Sequence, residues 1–482
     1  MSITALLRRE WTAFRTPGRL ISLAVAALAV IGLGLLFAPS NGSSCDGPCS
    51  AVSDRFWFRH QDLGREGAIT VRMTSMTGTI TYPPPGHDQI VAGLVPWAKA
   101  GIIVKDGVRQ GSRYAALAMT GAHGVRFQHD YEHDVAGRAG GVSAQSPVWL
   151  RLTRSGDTIT GSESADGEQW HVVGTAQLTG LPDTVQVGLF ATSPGDLTLR
   201  ETGLGGTIEQ VRFTQAVGVF DTVTVEGGTG RWDSRPVGEM NHTDWEKFHI
   251  ASGAVEKDGV VTVSGTGDIG PIGEGGVHGV EKTLSGLVIA LVVVLVVAAR
   301  HGARTAQETS SRQVVAARAA VVGSATFVTG LVAAGIVVAA AAPSWWTGVR
   351  VVAGVAAVLA LCAVLSYGFG VWLRRGWAAI VAGLALIALP HAVTSVPLLP
   401  DAVAEWLLRI TPAAGFAVKQ TVVEYPQVTA HYAPSAGYFP LPGWAGLAVL
   451  GAYVAVVLWP ANPGSRGSAT TPLPGSPRGS SG

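Results

Sequence analysis

The chain has 482 residues, 33 of them acidic and 34 lysine or arginine, and its net charge of +1 conceals two unlike materials. Between Pro39 and Lys282 lie 28 of the acidic residues but only 19 of the basic ones; the remainder carries 15 basic and 5 acidic residues in a strongly apolar background. Those 15 fall at the ends of apolar runs, where membrane topology puts them, which excludes a basic nucleic-acid-binding domain.

Ile3 to Arg19 interleaves Leu6, Leu7, Trp11 and Phe14 with Arg8, Arg9, Glu10 and Arg15. That spacing is loosely helical and suits a segment lying in a membrane interface, with ordinary topogenic charge as the plainer reading. Leu20 to Ala38 is an uncharged run of 19 residues, enough to cross a hydrocarbon core of about 30 Å. It is longer than a signal-peptide core and Ala38-Pro39-Ser40 is not a small-x-small cleavage site, so an uncleaved first span is expected. A Gly/Ser/Pro-rich linker, 39–52, then carries Cys45 and Cys49. They are expected to pair if that side is oxidising and to be free thiols otherwise; their spacing fits neither a zinc knuckle nor a redox motif, and no metal or cofactor is expected.

From about Ser53 to Gly276 short apolar alternations are separated by Gly, Asp and Ser turns, the pattern of a β-sandwich or barrel. Ala68–Thr74, Ala100–Val104, Tyr114–Met119, Gly124–Gln128, Pro147–Arg154, Thr158–Ser162, Gln169–Val173 and Thr184–Phe190 are the clearest strands. A second cluster, Ile208–Phe213, Phe220–Glu226, Trp245–Ile250 and Val260–Ile269, reads as further strands of that sandwich or as a stalk within 208–282. Within the domain, His129, Asp130, Glu132, His133 and Asp134 form the densest group of side chains able to bind a ligand. In a polar, glycine-flanked stretch a solvated loop is the plainer reading. Trp97, Trp149 and Trp170 could stack on a sugar, but each adjoins a strand pattern and is more simply core. No pair of the 28 carboxylates is singled out for glycoside hydrolysis.

Five further apolar runs follow: Thr283 to Ala299, Ala319 to about Ala342, Val351 to Leu373, Gly376 to about Leu399, and Leu441 to about Pro460. Six spans place both termini on one side. Arg8, Arg9, Arg15, Arg19, Arg300, Arg304, Arg312, Arg318, Arg374, Arg375, Arg466 and Arg478 fall on that side, against Arg350, Arg409 and Lys419 on the short loops opposite. The positive-inside rule therefore makes both termini cytoplasmic and the acidic block extracellular. Trp345, Trp346, Trp377, Trp406, Trp444 and Trp459 sit near expected helix ends, where the headgroup layer favours them. Between Asp401 and Pro442 the chain re-emerges, and Val403–Ile410 is expected as a short interfacial or re-entrant helix braced by Glu405 and Arg409 four apart. Ala461 to Gly482 is expected to be a disordered cytoplasmic tail.

The layout resembles an ABC-2-type transporter permease. The matching features are the basic entry Arg9-Glu10-Trp11-Thr12-Ala13-Phe14-Arg15-Thr16, the six spans, Ser310 to Gly323 with Arg312 and Arg318 entering the third span, and Tyr438 to Gly446 entering the last. A tyrosine-glycine entry to the third-span loop is missing. The stretches Ala98 to Leu117, Pro147 to Asp157 and Ser164 to Trp170 are similar to a concanavalin-A-like jelly roll of the laminin-G or DUF1349 kind, assigned to 53–207. Together these imply a multi-pass α-helical membrane protein with six transmembrane helices and an inserted extracellular all-β jelly-roll sandwich. They imply the permease subunit of an ATP-driven exporter, not itself an enzyme, with Glu10, Arg15, Arg312 and Arg318 as the ATPase-coupling surface. None of the six lysines follows a glycine, so a P-loop is absent and the ATPase must be a separate cytoplasmic chain. A second copy or a paralogous permease, membrane lipids, and a glycan or protein ligand outside are the other partners implied. The rival reading is a membrane-anchored extracellular carbohydrate- or ligand-binding protein, with a membrane-bound glycan hydrolase third.

Overall fold

The computed structural model describes residues 2–37, 52–81, 89–241, 243–271, 283–308, 311–340, 345–421 and 423–459. Cys45 and Cys49, linker residues 39–51 and the expected tail lie outside them. The chain divides into a helical unit, 1–41 with 278–421 and 433–482, and a β unit, 42–277 with 422–432.

The β unit opens with β1 (Val52–Asp54), β2 (Phe56–Thr81), β3 (Ile90–Ala92), β4 (Lys99–Lys105), β5 (Tyr114–Thr120), β6 (Val125–His129) and β7 (His133–Ala136). It continues with β8 (Val148–Ser155), β9 (Thr158–Ser164), β10 (His171–Gln177), β11 (Val185–Thr192), β12 (Asp196–Glu201) and β13 (Thr207–Arg212). It ends with β14 (Thr214–Gly228), β15 (Asp233–Val237), helix α3 (Asp244–His249), β16 (Gly253–Lys257), β17 (Val260–Gly265) and β18 (Ile269–Pro271).

Two layers share the long strand β2. Its first half pairs with β11 and β15, and β11 leads through β4, β5 and β6 to β7; its second half pairs with β8 and β14, extending to β9 and β10 on one side and to β17 and β16 on the other. Alternation along β2 turns Ile69, Val71 and Met73 inward against Ile102, Val104, Leu117 and Leu189 of the facing layer. Phe127 fills the space where a Cβ on Gly161 or Gly174 would lie within 2.6 Å of its ring, which is why both strands carry glycine there.

Strands β14 and β15 hydrogen-bond onto β2, and β17 and β16 follow from β14, so these four strands of the second cluster extend the large sheet, whereas β13 pairs with β12 in a two-stranded sheet of its own. One expected strand is a helix: Trp245–Ile250 falls on α3, because Thr243 and Glu246 form a reciprocal capping box that starts a helical turn there.

Strand β4 is buried on both faces, and its odd face carries two lysines. Lys105 Nζ donates to Asp54 Oδ2 of β1 at 2.7 Å and to the Ser112 carbonyl at 2.9 Å; Lys99 Nζ donates to Asp268 Oδ1 at 2.7 Å and to the Ile269 carbonyl at 2.6 Å. Because β1 pairs with β18, β4 thereby grips the entering and leaving strands together. Burial pushes the Lys105 ammonium below the usual lysine range, and the adjacent Asp54 opposes that shift; burial raises Tyr114 and Tyr131 beside it.

The helical unit begins with α1 (Ile3–Phe14) and α2 (Pro17–Phe37), and continues with α4 (Leu287–Thr305), α5 (Arg312–Ala340), α6 (Trp345–Leu373), α7 (Gly376–Thr394), α8 (Asp401–Ile410) and α9 (Gly443–Leu458). Five of them, α2, α4, α5, α6 and α7, are long and apolar enough to cross a membrane. The sixth expected span is α9, whose 16 residues are fewer than the 18 that set those five apart. Helices α4 and α6 cross closely: a Cβ on Gly302 would lie 2.2 Å from the Tyr367 carbonyl, and one on Gly370 would lie 2.4 Å from that of Ala299. Small residues permit this approach. The loop expected between the second and third spans is largely helical, since α4 runs on to Thr305 and α5 starts at Arg312. Helix α7 carries a π-helical turn, Leu384–Ala388, just before Pro390, whose ring and missing N–H disturb the regular ladder. Helix α8 begins two residues before its expected start, and its Arg409 and Glu405 lie 2.9 Å apart.

The Asp54→Ala substitution leaves the Lys105 ammonium buried without its counter-charge, and unfolding of the β unit is expected to become easier by about 3–5 kcal/mol. Pairing Asp54→Leu with Lys105→Met should recover most of that loss. Hydrogen exchange of β4 and β11 amides in the intact protein measures both.

Candidate functional site

Helix α1 is capped by the Ser2 hydroxyl, which accepts the Ala5 N–H at 3.3 Å. The i, i+4, i+8 positions Leu6, Glu10 and Phe14 form its buried face, with Glu10 in the middle of an otherwise apolar stripe. Arg318, one and a half turns into α5, meets it: Nε donates to Glu10 Oε2 at 2.8 Å, and the remaining guanidinium nitrogens reach the Thr305 carbonyl at 3.3 Å and the Glu308 carboxylate. Glu10 is 4% exposed and Arg318 6%. Phe14 closes the same seam, its ring edge-on to His301 at 5.4 Å, while His301 packs against Tyr367 at 5.8 Å. One guanidinium thus ties α1, the end of α4 and the start of α5 together.

Of the four residues expected to face an ATPase, the structure brings Glu10 and Arg318 together and turns them inward. Arg15, just past α1, and Arg312, at the head of α5, remain exposed. Arg8, Arg9, Arg300, Arg304, Arg374 and Arg375 are exposed as well. His301 and Tyr367 carry no sequence signal, because the seam they complete exists only once three helices meet. Glu10 did carry one, as a lone acid on an apolar helical face.

The cluster His129 to Asp134 is the tip of the β6–β7 hairpin instead of a loose loop. Asp130 and Tyr131 take left-handed backbone angles, φ 45° and 69°, which non-glycine residues adopt only when surroundings hold them there. The support is Tyr131, whose hydroxyl donates to Asp54 Oδ2 at 2.8 Å and lies 2.7 Å from the Ser112 carbonyl. His129 and His133 stack as a cross-strand pair, centroids 4.3 Å apart. Burial, then the neighbouring His133, holds the His129 imidazole below its ordinary value. Asp134 is engaged by Arg126 Nε and Gln128 Nε2, each at 3.0 Å. Glu132 is exposed at the tip. Among the described residues no three His, Cys, Asp or Glu side chains converge as metal ligands.

The tryptophan faces are occupied. Trp97 is 7% exposed and stacks on His123 at 4.0 Å; the Arg151 guanidinium lies 4.3 Å over Trp170. Trp170 is also pinned by the preceding turn, where Asp166 accepts the N–H groups of Gln169 and Glu168, bonds that pull its carboxyl down to about 2.

The Arg318→Met substitution strands the Glu10 carboxylate in the seam and is expected to loosen α1 by about 3–5 kcal/mol, whereas Glu10→Leu with Arg318→Met together should cost far less. Trypsin cleavage after Arg15 in nanodiscs reads the difference: fast in the single variant, slow in the double.

No known protein family matches the chain, and no curated protein matches it. Among solved structures it is similar to a functionally unknown protein from Saccharomyces cerevisiae, at 16% identity over 36% of this chain and 72% of that one, TM-score 0.20. It is also similar to a GH43 protein of Bacillus licheniformis, at 15% identity over 34% and 28%, TM-score 0.20, and to scytalido-glutamic peptidase, at 10% identity over 44% and 98%, TM-score 0.27. Likenesses this slight leave the chemistry of those proteins with those proteins.

Proposed function

We propose that the chain is the membrane subunit of an ATP-driven exporter of the ABC-2 kind, working with a separate cytoplasmic ATPase and with a second copy or paralogue to complete the pathway. The observation that carries the reading is the buried Glu10–Arg318 pair, with the exposed Glu308 bound to the same guanidinium, which joins α1, the end of α4 and the head of α5 into one piece with exposed arginines around it. A load applied to α1 is then delivered to α5 without slack, as an energy-coupling surface requires. The exposed arginines also supply the basic side that the positive-inside rule assigns to the cytoplasm, putting both termini there and the sandwich, read as a jelly roll, outside. Six crossings require α9 to be the last. Its 16 residues extend about 24 Å at 1.5 Å each, and exposed Trp444 and Trp459 at its ends suit the two headgroup layers. A span this short calls for local thinning of the bilayer.

The rival reading of an anchored glycan receptor or hydrolase would use the tryptophans as a sugar platform; the covering of Trp97 and Trp170 by His123 and Arg151 argues for the transport reading instead.

The docking charges are Arg15 and Arg312, since reversing Arg318 would break the tie itself. Arg15→Glu with Arg312→Glu is expected to cut ATPase copurifying in mild detergent by about tenfold, a loss of roughly 1.4 kcal/mol, while hydrogen exchange of the α1 amides stays unchanged. Full retention of the ATPase by this variant, or no ATPase associating with the unaltered chain, sinks the proposal.

A further inference from the structure

Where α5 and α6 pack together, a groove of about 490 Å³ opens on the side of the helical unit. It runs along α5 from Ala319 to Val328, and Ala360 and Val364 of α6 form the opposite wall. The two helices stand close beneath it: a Cβ on the buried Gly323 would lie 3.1 Å from Val364 Cγ2. The lining is small and apolar. Its one hydroxyl, Ser324 Oγ, donates to the Ala320 carbonyl at 2.7 Å, so the groove presents no unmet polar group to an occupant.

A positive charge stands at the head of this groove. Arg312 precedes Ala319 by seven residues, close to two turns, which keeps both on one side of α5, with exposed Ala316 between them. Arg312 is exposed and makes no hydrogen bond or ion pair among the described residues. From Ala319 to Val328 the helix rises about 14 Å at 1.5 Å per residue, close to the depth of one leaflet in a hydrocarbon core of about 30 Å.

We propose that the groove seats an acyl chain of an anionic phospholipid from the leaflet on the basic side, with the lipid phosphate on Arg312. The proposal rests on the reading of α5 as a membrane span and is independent of transport. The rival occupant is a helix of a second copy, which small residues would admit. Charge separates the two. A second copy brings the same side chains, and on the basic side its acids are Glu10 and Glu308, both bound to Arg318. Phosphate is the anion that the leaflet itself supplies, and basic clefts between spans on the cytoplasmic side gather anionic headgroups.

Native mass spectrometry tests this on the full chain, purified without an ATPase from nanodiscs holding phosphatidylglycerol and phosphatidylcholine in equal amounts. The unaltered chain is expected to retain phosphatidylglycerol about fivefold over phosphatidylcholine, the worth of one arginine near an anionic headgroup. Ala320→Phe with Ser324→Phe fills the groove from two exposed positions and should cut retention of both lipids at least about tenfold, with hydrogen exchange of the α5 amides unchanged. Arg312→Gln should leave a lipid bound and erase the preference. Equal retention of the two lipids by the unaltered chain, or phosphatidylglycerol still held by the phenylalanine variant, overturns the proposal. So does a pair of chains that stays together in the unaltered protein and parts in that variant with lipid retention unchanged, which assigns the groove to a second copy. A chain stripped from vesicles by alkaline carbonate defeats the membrane reading itself, whereas one that stays in the bilayer and emerges without lipid defeats this inference alone.

Discussion

The ammonium of Lys105 lies fully out of water, as does the carboxylate of Asp54 that meets it. Ions so placed cost several kcal/mol each to desolvate, and the cost is offset only by close, well-directed partners. The chain meets that demand at the junctions where a peripheral segment has to be tied to a finished layer. Lys105 and Lys99 fix the first and last strands of the β unit to the central strand β4. Arg318 does the corresponding work in the helical unit, fixing α1 to the head of α5 through Glu10. An apolar contact could supply similar free energy. It would not supply direction, because hydrophobic burial is non-directional whereas a guanidinium or ammonium with several acceptors accepts one geometry.

Much of the architecture was legible from periodicity alone. Pro147–Arg154 was legible because one face is buried and the other is less so, Thr184–Phe190 because a short run rich in apolar residues suits a strand buried on both faces, and the apolar helices because their sequences hold long uncharged runs. Trp245–Ile250 was misread as a strand, since six residues with three aromatics satisfy either period and the deciding signal was the cap at Thr243 and Glu246. The place of β14 was illegible for another reason: it pairs with β2 about 140 residues away, and pairing partners leave no local mark. At the candidate site, the residue types at Glu10 and Arg318 were visible. Their burial was not, because it depends on α1 folding back upon α5.

That burial changes what the arginines can do. A basic residue ahead of a span reads as free charge, available to a partner or to headgroups. With both Glu10 and Glu308 bound to it, Arg318 has little left to offer another chain. Any docking charge has to come from residues such as Arg15 and Arg312, which share the same rigid piece but keep their heads in water. The division is physically sensible, because a charge spent inside the seam carries load and a charge outside recognises, and one guanidinium cannot do both well.

Between the apolar helices α2 and α4 the chain holds the whole β domain up to β18 as one insertion. Val52 pairs with Pro271 and Asp54 with Ile269, so the two ends of the sandwich are hydrogen-bonded neighbours. An insertion whose ends lie side by side asks its host only to accept two adjacent chain crossings, much as a short hairpin would. The lysines of β4 make that arrangement durable: separating the ends would require pulling two buried ammonium groups from their carboxylates at once. The sandwich can therefore bear a pull on its two ends without those ends parting.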